Sequence, residues 1–138
     1  MQLKRVDETL ILKIEKGEDV MEILLETCRR ENVSSGTIVW GIGMVKDAEI
    51  GYLDGREYVK EKYPQNLEVL SFHGTIARND PRFHVHVSLA GRDHSALGGH
   101  LFYATADPSM EVQIEIFPDK SINRKMNDES GLNELSLH

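Results

Sequence analysis

The chain has 138 residues, 40% of them apolar and 28% charged, the composition of one globular domain large enough to bury a core. Asp and Glu outnumber Lys and Arg by 23 to 16, and the resulting net charge of −7 repels polyphosphate on average. The longest apolar stretch, residues 37–45, is interrupted by Gly41 and Gly43 and is too short to span a membrane.

The opening residues, with Gln2, Lys4, Arg5 and Asp7 around single apolar positions, do not read as a signal peptide. The only cysteine, Cys28, rules out an internal disulfide and fits a reducing cytoplasm.

In chain order, Leu10-Ile11-Leu12-Lys13-Ile14 predicts a strand. Gly17-Glu18-Asp19 opens a helix with acids at its positive end, and Val20, Ile23, Leu24, Thr27 and Cys28 follow helical spacing. Arg29 and Arg30 suit its C-terminus, and Ser34-Ser35-Gly36 is expected to end it. Cys28 lies on the apolar stripe and is expected to pack, not to react.

Strands are predicted over residues 37–45, 48–53 and 56–59, with Asp54-Gly55 as a hairpin turn. Residues 67–77 predict a strand with Val69, Ser71 and His73 on one face and Leu70 and Phe72 on the other. Asn79-Asp80-Pro81 is a turn. A histidine strand follows, then a connection over residues 90–98, a strand over 99–105, a break at Asp107-Pro108, and a last strand over 111–117. Beyond Pro118 the residues are polar, so residues 1–118 are expected to form the single domain. Residues 119–138 are then a loosely packed polar tail ending in His138. The fold class expected is α+β: a mostly antiparallel, curled sheet packed against one main helix.

Five of the six histidines fall between residues 73 and 100. In Phe83-His84-Val85-His86-Val87-Ser88-Leu89 the apolar residues alternate with His84, His86 and Ser88, the period of a half-buried strand. Both imidazoles then share the polar face, with Cα atoms about 6.6 Å apart. Such a pair is often no more than a polar sheet face. Here Gly98-Gly99-His100 can return a third nitrogen beside it. Three imidazoles and no thiolate suit Zn²⁺, or another divalent transition metal, and leave an open coordination position.

Around this set, His73 is a candidate second-shell donor or fourth ligand, although a strand-end histidine bonded to backbone is the plainer reading. His94, beside Asp93, could cap the site or simply be exposed in its loop. Arg82, Arg92 and Asp93 flank the strand ends and could meet a small anionic ligand, with ordinary surface charge as the bland alternative. The glycines at 91, 98 and 99 serve turns and close strand approach more readily than a phosphate cradle, because no helix follows them.

Gly41-Ile42-Gly43, Leu70-Ser71-Phe72-His73-Gly74, the run from Phe83 to Gly91, and Gly98-Gly99-His100-Leu101 together resemble the PPC (plants and prokaryotes conserved) domain family. The likeness runs from about residue 10 to residue 117. It implies a single-domain α+β fold that assembles as a homotrimer, with a metal, zinc first, on His84, His86 and His100. Plant members follow AT-hook segments that hold the minor groove. This chain has no Arg-Gly-Arg-Pro hook, and the plant counterpart of the histidine strand lacks the histidines. Prokaryotic members carry the label of predicted DNA-binding proteins. Cupins also use an HxH strand, but they want a glutamate three or four residues on, where this chain has Leu89 and Ala90.

Three function classes follow. The first is a metal-binding homotrimer that takes a small anionic ligand. The second is a zinc enzyme whose open coordination position activates water, for which only Glu68 or Glu111 could fold near as a base. The third is a DNA-associated regulator, disfavoured by the charge and the absent hook.

Overall fold

The computed structural model describes residues 1–118 and 122–137; residues 119–121 and His138 of the expected tail lie outside the described residues. The chain is a mostly antiparallel β-structure with one short helix. β1 (Gln2–Val6) and β2 (Thr9–Glu15) form a hairpin in which Val6 pairs with Thr9 and Asp7 takes φ 53° in the turn. Asp accepts that left-handed conformation more readily than most residues. β1 escapes a hydrophobicity reading because it is an edge strand with only Leu3 partly buried. β2 buries Leu10, Leu12 and Ile14.

Helix α1 (Val20–Arg30) begins where the Asp19 carboxylate accepts hydrogen bonds from the backbone N–H groups of Met21 and Glu22, at 2.9 and 3.1 Å. Its predicted stripe, Val20 through Cys28, is buried. It stops sooner than Ser34-Ser35-Gly36. Asn32 enters the left-handed region at φ 54° just past the end, and Val33 turns into the core.

β3 (Gly36–Asp54), β4 (Glu57–Tyr63), β5 (Leu67–Ile76), β6 (Phe83–Ala90) and β7 (Ala96–Ile116) join β1 and β2 in one sheet of order β1-β2-β7-β6-β5-β3-β4. An additional β7–β3 pairing closes β7, β6, β5 and β3 into a ring, which gives the sheet its curl. Inside lies one cluster that includes Leu24, Ile38, Phe72, Leu89, Met110 and Ile114. Each such fully buried side chain contributes roughly 2 kcal/mol to stability.

Two expected breaks are bridged. Residues 37–45 and 48–53 belong to one strand, and the gap is a bulge with Asp47 at φ 53° and a register shift between Lys46 and Glu49. Asp107-Pro108 does not end a strand either. The β3 ladder shifts there, between Val45↔Ala106 and Gly43↔Met110, and a proline is tolerated at such an irregularity.

The face assignment within residues 67–77 also changes. A register shift between Val69 and Ser71 leaves Leu70 exposed and turns both Val69 and Phe72 inward, so His73 faces away from Val69.

The expected loose tail is ordered at its root. β8 (Asn123–Asn127) and β9 (Leu132–Ser136) form a separate hairpin, and Ile122 and Arg124 are buried against the domain. Ile122 donates its N–H to Ser35 Oγ at 2.8 Å, and Arg78 donates its N–H to the Ile122 carbonyl at 2.8 Å. Polar composition hid this docking because directed hydrogen bonds, more than apolar burial, hold it.

Gly43 is the position least able to accept a side chain. It sits at φ +127°, and an added Cβ would collide with the Ser109 carbonyl oxygen of β7. Gly43→Ala should lower unfolding stability by about 3 kcal/mol, combining strain with a backbone clash. Gly17→Ala, also at positive φ but with open space around it, should lose only about 1 kcal/mol. Denaturant titration of the two variants checks the contrast, and equal losses would contradict the close β3–β7 approach.

Candidate metal centre

β6 carries the alternation that the sequence dictates: Val85, Val87 and Leu89 are buried, and His84 and His86 stand on the outer face. β6 pairs antiparallel with the start of β7 so that His86 lies directly opposite His100. Leu101, the next residue, points into the core, which fixes His100 on the same outer face. On the other side β5 brings His73 opposite His86 and Thr75 opposite His84. A row of three histidines, His73, His86 and His100, thus crosses β5, β6 and β7, with His84 one step along the strand.

Close approach of the strands depends on small residues. An added Cβ at Gly99 would come within 2.7 Å of the Gly51 carbonyl oxygen of β3.

Three of these rings converge. His84 Nε2 and His86 Nε2 are 3.2 Å apart. Ring centroids lie at 4.9 Å for His84–His86, 5.2 Å for His84–His100 and 5.8 Å for His86–His100. One nitrogen from each of the three falls within 4.8 Å of the others. Tetrahedral coordination at zinc–nitrogen distances of about 2.0–2.1 Å requires nitrogens about 3.3 Å apart, so modest side-chain rotation would complete a shell. The donor set fits a cation in a second respect: Nδ1 of His100 is buried and has no hydrogen-bond partner among the described residues.

The surroundings of His84 and His100 favour the neutral form that coordinates metals. Burial, followed by the neighbouring His84, His86 and Lys60, pushes the pKa of His100 down to about 4. Burial first, then His86 and Arg124, also lowers that of His84. On the β4 side, Tyr58 and Phe102 wall the cluster, with ring centroids 4.9 and 4.6 Å from that of His100. Lys60 Nζ sits 3.8 Å from the centre of the Phe102 ring. On the β5 side a cavity of about 210 Å³ is lined by His73, Gly74, Thr75, His84 and His86.

Of the candidates flanking the triad, only His73 is brought beside it. It lines the same cavity but stands outside the nitrogen cluster. Arg82 turns away: its Nη2 donates to the Val33 carbonyl, and it lies beside the buried Cys28 thiol, whose pKa burial raises. Arg92, Asp93 and His94 occupy the β6–β7 turn, past Ala90, about 13 Å along the strand from His86. There Asp93 accepts from the N–H and hydroxyl of Ser95, and Arg92 and His94 border a separate cavity with Glu68. Glu68, paired with Ala90, is therefore at the wrong end of the strand to serve as a base. Glu111 lies beside Lys13, away from the cluster.

Arg124 was hidden in the polar tail. Its Nη2 donates to Thr75 Oγ1 at 2.6 Å, next to His84. The sequence holds no signal for that contact, which joins residues 49 apart.

The chain is thus a ring-closed antiparallel β-domain whose outer face carries three histidines that could hold a metal ion. The sequence model of the Plants and Prokaryotes Conserved (PCC) domain matches residues 1–118, and the chain belongs to that family.

Among solved structures, the chain is similar to a metal-containing protein of Archaeoglobus fulgidus, with 29% identity, a TM-score of 0.86, and 99% of each chain covered. A plant- and prokaryote-conserved (PPC) protein of Pyrococcus horikoshii is 26% identical, with a TM-score of 0.84, over 98% of this chain and 93% of that one. A presumed DNA-binding protein of Ralstonia eutropha is 25% identical, with a TM-score of 0.89, over 99% and 96%. No curated protein sequence matches the chain.

The lowered His100 pKa has a stability consequence for the metal-free protein. The unfolded state takes up its proton near pH 6.5 and the folded state only near 4. Folding stability from this group is therefore fully present above pH 6.5 and is lost as pH falls through that window. Denaturation of chelator-treated protein at pH 7 and pH 4.5 should show a larger drop for the wild type than for His100→Gln. An equal drop would contradict the desolvated, neutral ring.

Proposed function

We propose that the chain is a metal-binding protein in which His84, His86 and His100 hold one divalent transition ion, zinc first, and present its open position to a small anionic ligand. The observation that carries this reading is the set of three convergent ring nitrogens on one sheet face, with no carboxylate or thiolate in the cluster. A borderline-soft cation suits such a donor set, and the ion would supply Lewis acidity to whatever ligand reaches it. His73 lines the approach. A homotrimer is part of the reading. It rests on the family resemblance and is supported by exposed apolar residues such as Ile42 on β3 and Leu70 on the adjacent β5. A cytoplasmic setting is supported by the free, buried Cys28. Among the described residues no helix is long and apolar enough to cross a membrane.

The metal reading is tested by elemental analysis of purified protein. We expect one metal per chain, lost in the double variant His84→Ala/His86→Ala, and light scattering at three times the chain mass. Chelator should leave the circular dichroism spectrum largely intact, because the core closes without the site. Full metal content in the double variant, or unfolding on chelation, would overturn the assignment.

A DNA-associated role is the second reading, favoured by the description of the Ralstonia eutropha protein. Charge opposes it here. The net charge is −7, and the one helix exposes Glu22 and Glu26. A mobility-shift titration at about 150 mM salt, where screening reaches roughly 8 Å, should give no submicromolar binding to duplex DNA. Sequence-dependent submicromolar binding would reverse the ranking.

A further inference from the structure

Arg124 carries a charge that no carboxylate among the described residues balances. Its residue surface is 7% exposed. Its Nη2 donates to Thr75 Oγ1 at 2.6 Å and its Nε to the Pro81 carbonyl at 3.4 Å. Those bonds use two of the five N–H donors of a guanidinium, and Nη1 makes no hydrogen bond to the described residues. Burial lowers its pKa.

Burying an unpaired cation is costly, and such charges are ordinarily matched. The bonds to Thr75 and Pro81 tie the hairpin to the domain but leave the charge itself unmatched among the described residues. The docking of the β8–β9 hairpin is already secured by the backbone of Arg124, whose N–H and carbonyl bond the Asn79 side chain at 2.7 and 2.8 Å.

The position of the charge is informative. Thr75 pairs directly with His84, and both line the 210 Å³ cavity that opens onto His86 and His73. The guanidinium is thus one side chain removed from the nitrogen cluster. Among the described residues no Asp or Glu lines that cavity.

We propose that Arg124 is the anion-reading residue of the histidine site: it binds a small oxyanion, carboxylate or phosphate, lying in the Thr75–His84 cavity with one oxygen toward the metal position. The proposal rests on the metal reading above and specifies the ligand class. A guanidinium edge matches two oxygens of a carboxylate or phosphate. A cavity of this size takes an anion of a few heavy atoms and is below the usual range for larger ligands.

The test uses the full-length protein loaded with Co²⁺, whose visible spectrum reports a ligand entering the open position. Inorganic phosphate and acetate are titrated separately, so that the tetrahedral and planar anions are distinguished. The wild type should bind at least one of them saturably. Arg124→Gln should keep one cobalt per chain and lose at least tenfold in anion affinity, with Arg124→Lys intermediate. Arg92→Gln, in the distant β6–β7 turn, should be unchanged.

Anion affinity within twofold of wild type in Arg124→Gln, or no binding of either anion to cobalt-loaded wild type, would overturn the proposal. If Arg124→Gln fails to fold, Arg124→Lys and Thr75→Val carry the same comparison. Weakened anion binding at full cobalt content supports the proposal, and unchanged binding overturns it. Absence of cobalt uptake by the wild type would sink the metal reading alone. Calorimetric titration of phosphate onto the metal-free variants then decides Arg124 separately: Arg124-dependent binding supports it and its absence overturns it.

Discussion

The site depends on one register. His86 on β6 faces His100 on β7, and a slip of one residue would turn His100 inward and Leu101 out to solvent. Several independent constraints oppose that slip. Val85, Val87 and Leu89 bury one face of β6, and Leu101 and Ala104 bury the matching face of β7. The opposite edge of β7 is held by β3, where Gly51 pairs with His100. The backbone approaches closely at Gly98 and Gly99, and an added Cβ would meet the carbonyl oxygens of Val87 and Gly51 there. Hydrophobic burial, which has no direction of its own, is thereby converted into the placement of polar rings to within a few ångströms.

Once those rings converge, electrostatics follow from crowding. Partial burial and mutual proximity penalise imidazolium at His84 and His100. Among the described residues the cluster has no carboxylate to offset that penalty, so those two rings are favoured in the neutral form. The flanks differ in chemistry. Aromatic rings and Lys60 stand on the β4 side; Thr75 and Arg124 stand on the β5 side. Lys60 is paired with Glu49 at 3.2 Å, whereas Arg124 has no such partner among the described residues. Positive charge without a carboxylate partner among the described residues thus lies on the β5 side of the cluster, although the protein as a whole is acidic.

The triad was legible in the sequence because its determinants are local: period-two alternation around His84 and His86, and a Gly-Gly-His return. The helix stripe was legible for the same reason. What escaped depends on pairings distant in the chain. The bulge that exposes Leu70 belongs to the β5–β6 ladder, and the continuity of β7 through Pro108 belongs to the β3 ladder. Arg82 and Arg92 were anion candidates by position along the strand, yet the fold directs Arg82 toward Val33 and strands Arg92, with Asp93, at the far turn. The cation that reaches the site comes from the segment with the least hydrophobic pattern, carried there by the Asn79 and Ser35 hydrogen bonds.

The most direct measurement of the central claim is the X-ray absorption spectrum, at the zinc edge, of protein reconstituted with one zinc per chain. Zinc held by the triad should show a light-atom first shell near 2.0–2.1 Å with the outer-shell scattering of three imidazoles, falling to two in His100→Ala. A sulfur shell near 2.3 Å, or oxygen neighbours with no imidazole scattering, would contradict it.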